Sequence, residues 1–352
     1  MKIWIDALTP KQALFFNVVK GWLTKRGHEV FSTTRAGYGA SMLSSITRYD
    51  LVVVGRHGAT RYEKLIESSK RVKTLSKIVY DKKFDVALSF SSPECARVSF
   101  GLGIPHVNFS DSPHAIQASK LTVPLSRTLF TPWIIPKRVW VQYGIRREDV
   151  VQYRAIDASI WLRGWIFKDM RKELHLKDKP TITIRMHEEH ASYLLEGGSE
   201  PLDVIRKVTE KYSDEANIVI LSRYGHWHSD LRKELGKKVL VLDSAVDGPS
   251  LIKSSDVFIG MGGTMSHEAA LLGVPVISAY PGEATLIERF LMKRKLIFRP
   301  CSVQELMKVL DRFLREKRVR WGFGRRAVSL WKLMEDPEEK IASKIEDVGK
   351  KV

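Results

Sequence analysis

Cysteine is scarce in this chain. Cys95 and Cys301 are the only two in 352 residues, and they stand far apart. No CxxC pair or Cys/His ligand spacing occurs, which argues against a disulfide framework or a structural zinc and for a reducing compartment. No apolar run reaches the roughly 18 residues a spanning helix needs. The N-terminus, MKIWIDALTP, lacks an apolar signal core. A cytoplasmic protein is therefore expected. Asparagine occurs three times and glutamine five, while 28% of residues are charged. Sparing use of thermolabile amides suits a thermophile. No GxSxG elbow is present, so a Ser–His–Asp hydrolase is not expected. No zinc-finger, RNP or KH signature points to nucleic acid.

What is present is an ordinary globular composition, 44% hydrophobic, with a net charge of +18. The charge is uneven. Residues 1–165 hold 25 Lys and Arg against 12 Asp and Glu, and the remainder 33 against 28. The basic first half is either a soluble surface or a face for an anionic partner: a phosphate, a membrane surface or nucleic acid.

Short apolar runs alternate with amphipathic stretches. Strands are expected at 2–8, 29–35, 50–55, 84–90 and 105–110, with helices at 11–27, 61–83 and 92–103. The 61–83 helix reads as basic on its exposed face. Residues 111–165, rich in proline and aromatics, read as irregular. The alternation resumes with strands at 181–187, 217–223, 238–244, 257–262 and 275–280. Such runs describe parallel sheets covered on both faces. The expected fold class is α/β, with two doubly wound Rossmann-like domains facing a cleft: 1–165, 166–320, and a helical tail at 321–352. LFTPWIIPKR and WLRGWIF combine aromatics with positive charge, as segments at a membrane surface do, or as interdomain packing does.

The segment GMGGTMSHEAALLGVPVISAYPGE carries the most chemistry. A strand ends at Gly262-Gly263 and a helix follows at once. Ligands of open parallel sheets bind beyond the carboxyl ends of the strands. Glycine admits a ligand close to backbone N–H groups, and Thr264 and Ser266 can add hydroxyls. Ser266 is alternatively an N-cap. Glu268 could accept hydrogen bonds from two sugar hydroxyls, or merely answer the positive helix end. Arg185 and Arg223 follow strands and could pair with a diphosphate, or with surface acids. Asp6 ends the first strand as a candidate base or a loop anchor, and Lys11 and Gln12 close behind it are candidates, with His114, to bind an acceptor. Asp111 and His114, in SDSPHA, form a second polar cluster at a strand end. RMHEEH, with His187, is not HExxH, and no DxD-like motif suggests a metal; no cofactor is expected.

The order strand, GMGGTMSHEAALLGVPVI, loop, CSVQELMKVL resembles the C-terminal domain of GT-B nucleotide-sugar enzymes. The lipid-linked peptidoglycan N-acetylglucosaminyltransferase and the UDP-N-acetylglucosamine 2-epimerase are similar. The resemblance implies a nucleotide diphosphate on the turn with its ribose on Glu268, and a donor sugar near Glu283 and Thr285. It also places His187 at the position of the epimerase's functional histidine. Three features depart from these families. The glutamine-rich sugar-reading pattern is absent. Asn108 stands where the epimerase has a catalytic carboxylate, which leaves Asp111 as the candidate substitute. The first loop, DALTPKQ, lacks the transferase's glycines and histidine. The whole chain also resembles an archaeal family of GT-B-like proteins without an established activity. The resemblance implies a glycosyltransferase using a UDP-sugar, with an anionic or lipid-linked acceptor, cytoplasmic or peripheral to the inner face of the membrane. The alternatives are a 2-epimerase-like enzyme and a nucleotide-sugar binding protein without catalysis.

Overall fold

A computed structural model describes residues 1–37, 49–186, 201–222, 232–242 and 246–350. The chain divides into two compact units, Met1–Trp161 with Glu335–Val352, and Leu162–Met334.

The first unit is built on seven parallel strands: β1 (Lys2–Asp6), β2 (Glu29–Ala36), β3 (Val52–Arg56), β4 (Val86–Ser89), β5 (His106–Phe109), β6 (Thr128–Pro132) and β7 (Val150–Tyr153). Their order is β3-β2-β1-β4-β5-β6-β7. Strands β4, β5 and β6 are buried along their whole length, as a sheet covered on both faces requires. One face packs Trp4, Leu75, Val79, Phe84 and Val98. Phe15, Phe90, Phe109 and Phe130 form a chain of ring contacts elsewhere in the core. The helix Pro10–Lys25 starts with proline behind the N-cap Thr9. Gly27, just beyond its end, takes a φ of +81°, as a helix-ending glycine should. A capping box between Thr60 and Glu63 starts the helix Arg61–Lys82.

The second unit has six parallel strands: β8 (Thr181–Arg185), β9 (Asn217–Leu221), β10 (Leu240–Leu242), β11 (Val257–Gly260), β12 (Val276–Ser278) and β13 (Ile297–Phe298). Their order is β10-β9-β8-β11-β12-β13. In each unit the order reverses once, between β1 and β4 and between β8 and β11. Such reversals open the crevice in which doubly wound sheets take ligands.

Strands β6 and β7 correct the reading of 111–165 as irregular, and β13 adds a strand the pattern did not show. The two last helices divide between the units. In Lys317–Leu333, the backbone passes so close to the 265–271 helix that a Cβ on Gly273 would meet Gly324 Cα at 2.8 Å. Glu338–Gly349 lies in the first unit, where Glu346 takes His28 Nε2 at 2.8 Å. Among the described residues, no helix is long and apolar enough to cross a membrane.

Candidate functional site

In the second unit, strand register sets the site. Gly260 on β11 lies between Arg185 on β8 and Ser278 on β12, so three strands end level. The chain leaves β11 through Gly262 (φ +100°) and Gly263 (φ +88°), backbone that side chains with a Cβ rarely adopt. The two glycines differ in surroundings. A Cβ on Gly262 would meet the Tyr280 ring at 2.8 Å, whereas one on Gly263 would meet nothing within 4 Å. Gly263 therefore presents bare backbone outward, at the edge where the strand order reverses.

Thr264 is the N-cap of the helix Met265–Leu271, without a capping side-chain hydrogen bond. This corrects the N-cap alternative for Ser266, which is buried within the first turn. Ser266 instead packs on β11, where a Cβ on Gly260 would fall 2.2 Å from its Oγ. Glu268 lies on the same helix and is buried, an environment no carboxylate enters without partners. Arg185 is also buried and donates from Nη1 to the Met186 carbonyl at 3.0 Å.

The loop after β12 is held from below. Arg299 Nη2 donates to the Tyr280 carbonyl at 3.0 Å and to that of Gly282. Ser278 Oγ donates to Glu288 at 2.6 Å. Thr285 caps the helix Leu286–Lys293. Glu283 is exposed and pairs with Arg289 at 3.3 Å, so its visible role is a surface ion pair. Arg223 and His187 lie outside the described residues, as does the rest of RMHEEH beyond Met186.

In the first unit, the carboxyl ends of the strands gather two charged clusters. One surrounds Asp6. Its carboxylate accepts from Arg71 at 3.0 and 2.5 Å, from Ser92 Oγ at 2.6 Å and from Thr33 Oγ1 at 2.7 Å. Burial raises its pKa, but Arg71 and these donors outweigh burial and hold it below the ordinary carboxylate range. With its oxygens engaged and no solvent access, Asp6 is anchored as a structural ion pair, which argues against the role of a base. Arg71 corrects the reading of its helix as simply basic outside: it is wholly buried.

The second cluster centres on Lys11. Its ammonium lies 2.5 Å from Asp111 and 2.7 Å from Asp157, and 4.2 Å from the Phe90 ring centre. Tyr153, at the end of β7, donates to Asp157. Burial, joined by repulsion from Asp111, pushes Asp157 up to about 6 against the pull of Lys11. Burial alone would lower Lys11, yet the two carboxylates hold it above its usual range. Two acids across one cation, one tuned towards neutrality, form a unit that can take or give a proton.

Lys11 and Gln12 are thus tied internally. Gln12 accepts from Leu8 N at 2.6 Å and donates to the Phe90 carbonyl at 3.0 Å, fastening the first loop. His114 sits exposed in the loop beyond Asp111. Asn108 is buried in β5, and its Oδ1 accepts from Ser91 N at 2.9 Å. Asp157 and Tyr153 were missed from sequence because the strand that delivers them, β7, was missed. A four-residue strand buried at both ends and half-buried between shows no alternation.

The aromatic segments read as surface or packing candidates split. Phe130, Ile135 and Trp161 are core residues, while Ile166 and Phe167 are exposed.

The chain is similar to the uncharacterized protein MJ0665 of Methanocaldococcus jannaschii, 29% identical over 322 residues, covering 88% of this chain and 91% of that protein. It superposes on UDP-GlcNAc 2-epimerase from Neisseria meningitidis, solved bound to UDP-GlcNAc, with a TM-score of 0.76 at 16% identity, over 99% of this chain and 100% of the other. It also superposes on Anabaena Alr3699/HepE, solved with UDP-glucose, with a TM-score of 0.65 at 15% identity over the full length of both. The two parallel-sheet units match the GT-B fold of glycosyltransferases and epimerases. The description "Protein of unknown function (DUF354)" matches residues 1–338, and the chain belongs to that family.

Proposed function

We propose that the chain is a glycosyltransferase whose donor is a nucleoside diphosphate-sugar, with uridine as the base. The observation that carries this reading is the Gly262-Gly263 turn at the strand-order reversal of the second unit, with buried Glu268 on the helix it opens. Peptide N–H groups of the turn and the Arg185 guanidinium offer positive potential to a diphosphate. Such groups act most strongly as the leaving group gains charge. Glu268 accepts from the ribose hydroxyls. That solved neighbours of this fold hold UDP-sugars supports the choice of donor.

In the first unit, Asp111 and Asp157 serve the acceptor. Asp111, the more accessible of the two, takes the proton of an acceptor hydroxyl. The oxygen bonds to the anomeric carbon, the carbon–oxygen bond to the diphosphate breaks, and the nucleoside diphosphate leaves. The excess of Lys and Arg over Asp and Glu in residues 1–165 favours an anionic acceptor, including a lipid-linked one.

The proton-handling pair also suits a second reading, epimerisation at the carbon beside the anomeric centre. Asn108 weakens it, because the epimerase position is filled here by an amide that fastens a loop. Product analysis separates these readings: a new glycoside, an epimer, or unchanged donor from a binding protein.

The deciding experiment is calorimetric titration of UDP and UDP-N-acetylglucosamine into the wild type and Glu268→Gln. Binding that weakens about tenfold or more in the variant, the scale of a lost charge-assisted pair, supports the reading. Equal affinity removes Glu268 from the site. No binding of either ligand overturns the uridine donor.

A further inference from the structure

The second unit carries a basic cavity remote in sequence from the glycine turn. It measures about 450 Å³ and lies between the helices Val303–Arg315 and Lys317–Leu333. Its floor is aromatic, from Phe298, Phe313 and Phe323, which contact one another. Its rim is cationic, from Lys295, Arg312, Arg318, Arg325 and Arg326, with no acid among the described lining residues. Arg312 reaches Glu316 at 3.6 Å.

Arg326 is the key group. Its guanidinium lies 4.5 Å from the Phe323 ring centre, within the cavity wall. A Cβ at position 322 would come 3.2 Å from its Nη1, so Gly322 leaves room for it. Its Nε is buried and has no hydrogen-bond partner among the described residues. Burial, and then repulsion from Arg325, lower its pKa. A buried cationic donor left unmatched is costly, and an anion in the cavity would offset the repulsion between Arg325 and Arg326.

The same helix says which kind of anion. Residues 317–333 hold six Lys and Arg and no Asp or Glu. Among these cations stand exposed apolar side chains: Trp321 at 64%, Val328 at 56% and Leu333 at 39%. Arg325 stacks over the Trp321 ring at 4.3 Å. At 100° per residue, Lys317, Trp321, Arg325, Val328 and Lys332 fall on one side of the helix. A soluble phosphate would leave Trp321 and Val328 unused, and so would a hydrated nucleic-acid backbone. A lipid surface uses both kinds of group, cations at the headgroups and Trp321 and Val328 at the acyl boundary.

We propose that the helix Lys317–Leu333 docks on an anionic lipid surface, with a lipid phosphate entering the cavity beside Arg326. This would hold the second unit at the membrane independently of the donor site.

The test is sedimentation of the full chain with phosphatidylcholine vesicles, with and without phosphatidylglycerol. Binding should require phosphatidylglycerol and fall as salt rises. Arg325→Gln/Arg326→Gln should weaken it at least about fivefold, the factor expected for loss of the membrane-facing Arg325, with loss of the cavity's Arg326 adding to it. Lys73→Gln/Lys77→Gln, which removes equal charge from exposed positions of the first unit, should leave it unchanged. Should the arginine variant fail to fold, Trp321→Ala, an exposed site, must weaken binding instead. Equal weakening by the two double variants would mean general charge attraction and overturn the proposal. So would absence of vesicle binding, binding abolished by inorganic phosphate at the same site, or tighter binding to single-stranded RNA than to the vesicles.

Discussion

Arg71 donates two hydrogen bonds to Asp6, at 3.0 and 2.5 Å, and both side chains are wholly buried although 65 residues separate them. Gly55 lets them meet: a Cβ there would press on the Arg71 stem at 3.3 Å. Breaking a buried pair leaves an uncompensated charge. Asp6→Asn or Arg71→Met should therefore cost about 3–5 kcal/mol in urea unfolding. Because Asp6 titrates lower in the folded state, its contribution is present above pH 3.8 and is lost as pH falls through the folded value. The Asp6→Asn variant should show a shallower acid limb.

If Asp111 takes the acceptor proton and Asp157 shares it, activity should rise with pH as the pair loses its proton, through a midpoint near 6 set by Asp157. Lys11 holds that midpoint down. Lys11→Met should raise it and depress activity at neutral pH, whereas a merely structural lysine would lower activity at every pH alike. The pH dependence of kcat/KM in both proteins is the measurement.

The two turn glycines should respond differently to alanine. Gly262→Ala meets both the left-handed backbone and the Tyr280 ring, so it should lose about 1–3 kcal/mol of stability. Gly263→Ala meets open space, so its stability cost should be about 1 kcal/mol. Its loss of UDP affinity should be the larger effect. Thermal unfolding and titration of both variants compare the two.

Gly260→Ala should be strongly destabilising, because the new methyl lands on Ser266 Oγ. Adding Ser266→Ala should recover part of the loss. Recovery stays partial because the Phe258 ring lies 3.1 Å from the same point. A double-mutant cycle in urea measures the coupling.

His106 is buried with Ser89 Oγ at 2.9 Å from Nε2 and Ser126 Oγ at 3.3 Å from Nδ1. Burial lowers its pKa from 6.5 to about 3, so folding favours the neutral ring. Its contribution is full above pH 6.5 and is lost as pH falls towards 3. Removing the ring in His106→Asn should flatten the decline in stability between pH 6.5 and 4, as followed by urea midpoints.

The parallel strands β1, β4, β5, β8 and β11 were legible because each is a compact apolar run flanked by helix signals. The Gly262-Gly263 turn was legible because its backbone requirement is local. Strands β6, β7 and β13 were not, since short strands without alternation leave no periodic trace. Arg71 was misread for a related reason. Helical spacing marks which residues share a face, but it does not say which charged side chain on that face will be covered.

Local chemistry in the chain therefore determined the α/β class, the two sheets and the places where the backbone must turn through glycine. Only the tertiary structure decided which of the polar residues at strand ends would meet. Parallel strands bring positions such as Lys11, Asp111 and Asp157 to one edge by crossovers whose lengths carry no chemical signal. Burial then sets what each becomes: Asp6 a sealed ion pair, and Asp157 an acid poised near neutrality.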